Sequence, residues 1–466
     1  MMTYAFTFNA SACTGCKTCL EACRDKNGLP AGVLWRKVIE ISGGEWQATR
    51  NAWESTVFAY YLSLACNHCT HPKCAGVCPV DAFSVRPDGI VLLDGARCMG
   101  CGYCAWACPY AAPQYDEGRG VMTKCDFCFD KLEAGLPPTC VAACPLRVLD
   151  YATLEQAEAL EVGQNLWQLA GSQHPFPLPN YSRTEPHLAI KSHRAMDSPL
   201  DKVVANLEEI HPPGTAKDKY GLVAFRELPL VAFTLLAQMA VGMAVFRALL
   251  TPFPKALMLS IGLLLAMGGL ISFLHLGRKR NAWRSIIHLK KSWLSREILM
   301  AGLFGLTWAV TAGLEWLRVA QLSPWLLAIL GIGLIYCMSR VYLLRAVPGW
   351  NTWRAPVSFC ASAIALGALG IGLVAAHAAL AVLAGIAMTV EFMLALTSQP
   401  FRDVAAGRLH VALLATGILG GLLLASLPQS VGEWLAFLVF FIALAADAIG
   451  RWQFYARRVP FPMASN

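Results

Sequence analysis

The hydrophobic pattern of the chain changes near its midpoint. Up to about residue 185, apolar residues come in short runs, such as Gly89 to Leu93 between Asp88 and Asp94, broken by Pro, Gly and dense cysteine. Such runs predict short strands and tight loops in an α+β domain organised by metal. From Leu228 the pattern becomes a series of long runs almost free of charge. The hydrocarbon core of a bilayer is about 30 Å thick and a helix rises about 1.5 Å per residue, so about 20 apolar residues span it. Spans are predicted at roughly 228–250, 256–276, 298–317, 324–344, 355–376, 378–397, 409–427 and 433–454, an all-α polytopic bundle of about eight helices. The fifth and sixth come from one run, Ala355 to Val390, too long for a single span, which predicts a turn near His377. Helices of a soluble protein would need polar faces that these runs lack.

Between the two regions, Arg183 to Lys219 is polar and carries Pro186, Pro199, Pro212 and Pro213, which predicts an extended linker. The expected division is therefore 1–185, a linker over 186–226, and a membrane domain over 227–466. Composition agrees, since a mean hydropathy of +0.48 with 15% charged residues is too apolar for an ordinary soluble protein. The net charge of +8 does not indicate nucleic acid, because the lysines and arginines cluster beside apolar runs, where basic residues mark helix ends. The first residues, MMTYAFTFNASACTGC, show neither a basic and apolar leader nor a twin arginine, so no export signal is expected there.

Sixteen of the 18 cysteines lie between Cys13 and Cys144. They form four groups: Cys13, Cys16, Cys19, Cys23; Cys66, Cys69, Cys74, Cys78; Cys98, Cys101, Cys104, Cys108; and Cys125, Cys128, Cys140, Cys144. The first and third have the spacing C-x2-C-x2-C-x3-C, and the others carry an insertion before the third cysteine. In two-cluster ferredoxins such a run wraps three corners of a cubane while its fourth cysteine reaches the neighbouring cluster. Four runs imply four clusters in two crosswise pairs. Zinc ribbons also use C-x2-C, but have no use for a third cysteine two residues later. A disulfide framework belongs to short secreted chains. Cys337 and Cys360 sit in apolar runs and are read as small apolar fillers.

The segments CTGCKTCLEAC, CNHCTHPKCAGVCPVDAF, CMGCGYCAWACPYAAPQYD and MTKCDFCFDKLEAGLPPTCVAACPLRVLD together resemble the iron–sulfur electron-transfer subunit of the dimethyl sulfoxide reductase family. ELPLVAFTLLAQ, LHLGRKRNAWRSI, SREI, SRVYLLRAVPGWNTWRAP and ADAIGRWQFY resemble, more diffusely, that family's membrane anchor, normally a separate polypeptide. The resemblance implies four 4Fe-4S clusters, held by Cys13, Cys16, Cys19 and Cys144; by Cys125, Cys128, Cys140 and Cys23; by Cys66, Cys69, Cys74 and Cys108; and by Cys98, Cys101, Cys104 and Cys78. It further implies a haem-free anchor that oxidises menaquinol or ubiquinol near His275, and a molybdopterin-containing catalytic partner reducing an S-oxide, N-oxide or similar acceptor in anaerobic respiration.

By the predicted spans, His275 closes the second helix, Glu297 opens the third, and Arg340 and Tyr342 close the fourth, all at one end of the bundle. Ionisable residues inside a membrane are costly and usually line a pathway, so these four are the candidate quinol-binding residues, with Glu391 and Asp447 in the same half. Glu315 lies in the opposite half, and a relay from it to Glu391 and Asp447 would instead make the domain a redox-driven proton translocator. Loop lysines and arginines are biased thirteen to two toward the side carrying the cysteine domain, which places that side in the cytoplasm of a bacterial inner-membrane protein.

Overall fold

The computed structural model describes residues 2–50, 52–159, 164–165, 184–191, 193, 203–206, 227–250, 254–347, 349–373, 378–397, 405–426 and 429–456. They fall into two compact units. One runs from the N-terminus through residue 206 and includes Gly277–Arg284; the other comprises the remaining residues from Glu227 onward.

The first unit is built on short strands, as its broken apolar pattern requires. Strand β1 (Tyr4–Asn9) is followed by helix α1 (Thr18–Asn27), β2 (Lys37–Gly43), the hairpin β3 (Trp46–Thr49) and β4 (Ala52–Ser55), and β5 (Phe58–Leu64). Helix α2 (Lys73–Val77) and the hairpin β6 (Phe83–Val85) and β7 (Val91–Leu93) precede α3 (Tyr103–Ala107) and the hairpin β8 (Gln114–Asp116) and β9 (Val121–Thr123). Short helices α4 (Phe129–Glu133) and α5 (Thr139–Ala142) lead to β10 (Leu149–Thr153), α6 (Leu154–Ala159) and β11 (Gln164–Asn165).

Strands β12 (Leu188–Lys191) and β13 (Val203–Asn206) complete two sheets, ordered β10-β1-β12-β11 and β13-β2-β5. Both lie in the stretch expected to be a linker. Leu188 and Ile190 are buried, and β12 lies parallel to β1 with Phe6 opposite Leu188. A four-residue strand is too short to announce itself against flanking prolines, so the polar composition concealed it. The sheets enclose an apolar core with Phe6, Phe8, Ile39, Ile41, Leu62 and Phe127, to which the buried Cys19, Cys23, Cys66, Cys125, Cys140 and Cys144 also belong.

Among the described residues, the second unit holds eight helices long and apolar enough to cross a membrane: α7 (Leu228–Leu249), α8 (Lys255–Leu274), α9 (Trp293–Leu317), α10 (Pro324–Tyr342), α11 (Arg354–Gly372), α12 (Ala378–Leu396), α13 (Ala405–Ser426) and α14 (Gln429–Ala456). Helix α9 starts five residues before the predicted span, because Ser292 caps it by accepting a bond from the Ser295 amide. The turn predicted near His377, and Arg402, Arg457 and Arg458, lie outside the described residues.

Small residues bring α7 against α11. A Cβ added to Gly242 would fall 1.9 Å from the Ala363 carbonyl oxygen, and one on Gly367 would fall 2.5 Å from the Gly242 backbone. Lipid tails are as apolar as leucine, so close backbone packing of this kind is what holds helices together in a bilayer. Near this approach, Gln238, one turn before Gly242, and Ser362 of α11 both meet Arg451 Nη2, at 3.2 and 3.4 Å.

Candidate functional site

Each cysteine group begins with the same backbone turn. The residue just before the second cysteine has positive φ in all four: Gly15 (69°), His68 (43°), Gly100 (74°) and Phe127 (63°). This left-handed step curls the loop so that successive thiols face a common space. Glycine is required at Gly15, where a Cβ would lie 2.5 Å from the Tyr61 ring, and at Gly100, where it would lie 2.5 Å from the Gly120 carbonyl oxygen. His68 and Phe127 adopt the same conformation without that freedom, at a cost of roughly 1–2 kcal/mol each, and both are buried. Packing holds them: the Val91 amide donates to His68 Nδ1 at 3.0 Å, and Phe127 stacks on Phe6 with centroids 4.1 Å apart.

The thiols gather across groups. Cys13, Cys16, Cys19 and Cys144 line one cavity, and Cys66, Cys69, Cys74 and Cys108 line another. Cys101 and Cys104 lie beside Cys98 and Cys78, and Cys23 lies beside Cys128 and Cys140. In every set, three thiols come from one group and the fourth from another. Backbone amides point at sulfur, at 3.4 Å from Gly100 and Met122 to Cys98, from Phe127 to Cys125 and from Ala82 to Cys78. Such donors favour the thiolate.

Burial works the other way. It pushes the Cys23 thiol up to about 12 and Cys108 up to about 11, and raises Cys74, Cys101, Cys104 and Cys125 as well, with neighbouring thiolates adding to the effect in Cys23, Cys74, Cys104 and Cys125. Four thiolates kept from water therefore need strong local positive charge, which iron in a 4Fe-4S cluster supplies. The donor set, the amide directions and the burial all fit such clusters.

Two buried cations stand among the thiols. Burial opposes the charge of Arg36, yet nearby Cys140, Cys19, Cys125 and Cys23 hold its pKa above the usual range, while its Nη1 donates to Ser63 Oγ at 3.1 Å. Lys124 donates to the carbonyl oxygens of Val91 and Cys125. No motif marks either residue, because each is distant in sequence from the cysteine set it faces or reads as an ordinary loop charge.

The Gly277–Arg284 segment packs on the third cysteine loop within the first unit. Arg278 Nη1 donates to the Gly95 carbonyl at 2.9 Å and its backbone amide to the Met99 carbonyl at 3.1 Å. Asn281 Nδ2 donates to the carbonyls of Ala96 and Cys98, at 2.8 and 2.9 Å. A Cβ on Gly277 would fall 2.1 Å from the Gly120 carbonyl oxygen, so glycine permits this approach. In the sequence these residues register as basic flanks of a span, with no sign of a contact so far away along the polypeptide.

In the helical unit, four candidate residues stand at one end of the bundle. Glu297 lies one turn inside α9, fully buried rather than at the helix start, as the earlier start of α9 dictates. Tyr342, the last residue of α10, lies near Glu297, and its hydroxyl bonds to that of Tyr455. Arg340 stacks over the Trp293 ring at 4.9 Å, one turn from Glu297. His275 follows the last residue of α8, with Nδ1 bonded to the Ser272 carbonyl. A carbonyl only accepts, so Nδ1 carries the hydrogen and the lone pair of the neutral ring is on Nε2. Trp293 and Tyr455 escape sequence reasoning, since an aromatic residue near a helix end has no motif to mark it.

Glu391 and Asp447 stand at the same end, with Ser362, Gln238 and Arg451 around them. At the opposite end Glu315 is bonded to Arg247.

Comparison with known proteins gives separate matches to two parts of the polypeptide. The family described as "4Fe-4S dicluster domain" matches residues 57–154, and that described as "DMSO reductase anchor subunit (DmsC)" matches residues 222–408. The B subunit of the anaerobic dimethyl sulfoxide reductase of Escherichia coli (strain K12) is 46% identical over 188 residues, covering 40% of this protein and 88% of the relative. The B subunit of the anaerobic dimethyl sulfoxide reductase of Haemophilus influenzae is 43% identical over 196 residues, 42% of this protein and 91% of the relative. The formate dehydrogenase iron–sulfur subunit of Wolinella succinogenes is 36% identical over 166 residues, 31% of this protein and 78% of the relative.

Proposed function

Because the protein belongs to the family of dimethyl sulfoxide reductase B subunits, fused to a DmsC-type membrane anchor, we propose that it draws electrons from membrane quinol and delivers them to a separate catalytic subunit. The observation that carries this reading is the crosswise gathering of sixteen thiols in a polypeptide that also buries Glu297 and Tyr342 at one end of an apolar bundle.

The proposed ligand sets are Cys13, Cys16, Cys19, Cys144; Cys23, Cys125, Cys128, Cys140; Cys66, Cys69, Cys74, Cys108; and Cys78, Cys98, Cys101, Cys104. Four bound 4Fe-4S clusters would supply one-electron carriers that take up no protons. The protons of quinol therefore fall to the protein's own side chains. His275 suits this role through Nε2, where a neutral imidazole can accept a proton, and Glu297 and Tyr342 offer a buried carboxyl and hydroxyl.

The reductase at the far end of the circuit is proposed to be a molybdopterin subunit acting on an S-oxide or N-oxide; the names of the Escherichia coli and Haemophilus influenzae relatives give dimethyl sulfoxide reductase for those proteins. The cysteine domain is proposed to face the cytoplasm. Eight spans put both ends of the polypeptide on one side, and the loop lysines and arginines favour that side; Arg278 is engaged with carbonyls, but the bias survives without it. A fluorescent protein fused after Asn466 should fluoresce and a periplasmic phosphatase fused there should be inactive; the reverse pair of results would place the domain outside.

The function is tested by anaerobic purification of the protein with whatever it binds. The expected product is brown, holds about sixteen iron and about sixteen sulfide per polypeptide from four cubanes, and carries a molybdenum-containing partner. Stoichiometric zinc without iron, or a partner lacking molybdenum, contradicts the cluster or the reductase assignment respectively.

A further inference from the structure

The helical unit holds a second polar centre, distinct from the residues proposed to meet quinol. Helices α11, α12, α13 and α14 enclose a cavity of about 80 Å³ lined by Arg354, Ser362, Glu391, His410, Asp447 and Arg451. Glu391, Asp447 and Arg451 are each at most 6% exposed. Ser362 Oγ donates to Glu391 Oε1 at 2.6 Å, and Arg451 Nη2 donates to Gln238 Oε1 at 3.2 Å and contacts Ser362 Oγ at 3.4 Å.

From this arrangement we infer that Glu391 and Asp447 form an acid pair that holds one exchangeable proton and passes protons released by quinol to water at the same end of the bundle. The origin of those protons rests on the quinol reading above; the proton-binding site itself does not.

Three observations carry it. The first is that the two carboxyl groups line one cavity and stand close enough to each other to share a proton. Carboxylates only accept, so a hydrogen bond between them would need a proton on one. The second is the local charge. From α7 the pair is faced by Gln238, from α11 by Arg354 at the mouth and Ser362 within, from α13 by His410 and from its own α14 by Arg451. One buried guanidinium offsets one carboxylate, so two ionised carboxylates would leave net negative charge inside the membrane, and a single shared proton removes it.

The third is that Asp447 Oδ2 and Arg451 Nε, both in cavity-lining side chains, are buried without a partner among the described residues. Buried polar atoms are almost always satisfied, and 80 Å³ has room for several waters with polar groups to hold them. Gly450 lets the His410 ring come close to α14: a Cβ there would fall 2.7 Å from His410 Nε2.

The site also has a connection toward the quinol residues. Tyr342, which lies near Glu297, shares a hydroxyl hydrogen bond with Tyr455, one turn beyond Arg451 on α14. Quinol oxidation gives two electrons to the iron–sulfur centres and two protons to the protein. A proton reaching the ionised carboxylate of the pair forms one O–H bond, and its transfer to cavity water breaks one, so the pair returns to its starting state. Release at the same end moves no charge across the membrane, consistent with Glu315 at the far end being taken up by Arg247.

The test uses the full-length protein in lipid nanodiscs, with clusters loaded, and infrared difference spectra on H2O/D2O exchange. The wild type should show the carbonyl band of a protonated carboxyl that shifts on exchange. Asp447→Asn and Glu391→Gln should each abolish it, because the remaining acid then pairs as a carboxylate with Arg451, while Glu297→Gln should leave it in place. The same two variants should slow quinol-driven cluster reduction by at least about tenfold, as loss of a general base does, with dithionite reduction unchanged and cluster absorbance confirming the fold. An exchangeable band absent from the wild type, or retained in both variants, overturns the proposal. If quinol fails to reduce clusters even in the wild type, the quinol reading fails, and the infrared band alone still decides whether the acid pair binds a proton.

Discussion

The two units bury reactive groups in opposite ways. In the first, the site is written in local sequence: three thiols per set arise from one loop, a left-handed residue curls each loop, and Gly15 and Gly100 are irreplaceable there because a Cβ has no room. In the second, Glu297, Tyr342, Glu391 and Asp447 come from four different helices, and only backbone packing such as that of Gly242 on Gly367 brings such residues within reach. A site made by loops survives as spacing; a site made by packing leaves only isolated polar residues in apolar runs. Disturbing one thiol should therefore have a local effect, and disturbing one glycine a distributed one.

The largest effect expected is chemical. Cys101→Ser should remove or convert one cluster and leave the others, so that iron falls by at most about four per polypeptide and the remaining cluster signals persist. Loss of every signal would show that the sets are not independent, and the contrast between local and distributed sites would fall.

Next comes packing in the helical unit. Gly367→Leu forces side-chain atoms into the Gly242 backbone and should destabilise the bundle by about 3 kcal/mol, seen as a lower midpoint in detergent-titrated unfolding with iron content unchanged. Gly372→Leu, where no described residue lies within 4 Å of an added Cβ, should be close to neutral. Equal effects from the two would remove the packing argument.

A smaller effect concerns pH in the first unit. Burial holds His187 down to about 4, below its ordinary value, with Thr70 Oγ1 at 3.0 Å from Nε2. The unfolded state thus binds this proton more readily than the folded one. Stability is full above the unfolded value near 6.5 and is lost as pH falls from there through 4, by roughly 3 kcal/mol in all. His187→Gln should flatten that part of the curve for loss of cluster absorbance on acidification; an unchanged slope would assign it to other groups.

The same contrast explains what is legible in the sequence. Eight spans are legible because apolar runs of that length have no other use, and the sixteen cysteines because their spacing has almost no other meaning. Strand β12 is not legible: LAIK is four residues long, and its partner β1 lies at the other end of the unit. Arg36 and Asn281 are not legible either, since each meets its cysteine loop only through the fold. His68 and Phe127 take the left-handed turn that glycine marks in the other two groups, so half of that signal is hidden by residues held there through packing. Of the quinol candidates, Glu297 stands out in the sequence as a charge beside an apolar run, but its burial one turn inside α9 depends on the Ser292 cap.

The central claim is that quinol delivers electrons into this protein through its membrane unit, and the most direct measurement is anaerobic bleaching of the cluster absorbance when a reduced quinol is added to the full-length protein in nanodiscs. The wild type should bleach with quinol and with dithionite. His275→Ala should keep the dithionite response and lose the quinol response by about a hundredfold or more in rate, as removal of a general base does. Quinol bleaching of the His275→Ala variant at the wild-type rate would remove that residue from the site, and a wild-type protein that bleaches with dithionite but never with quinol would contradict the account.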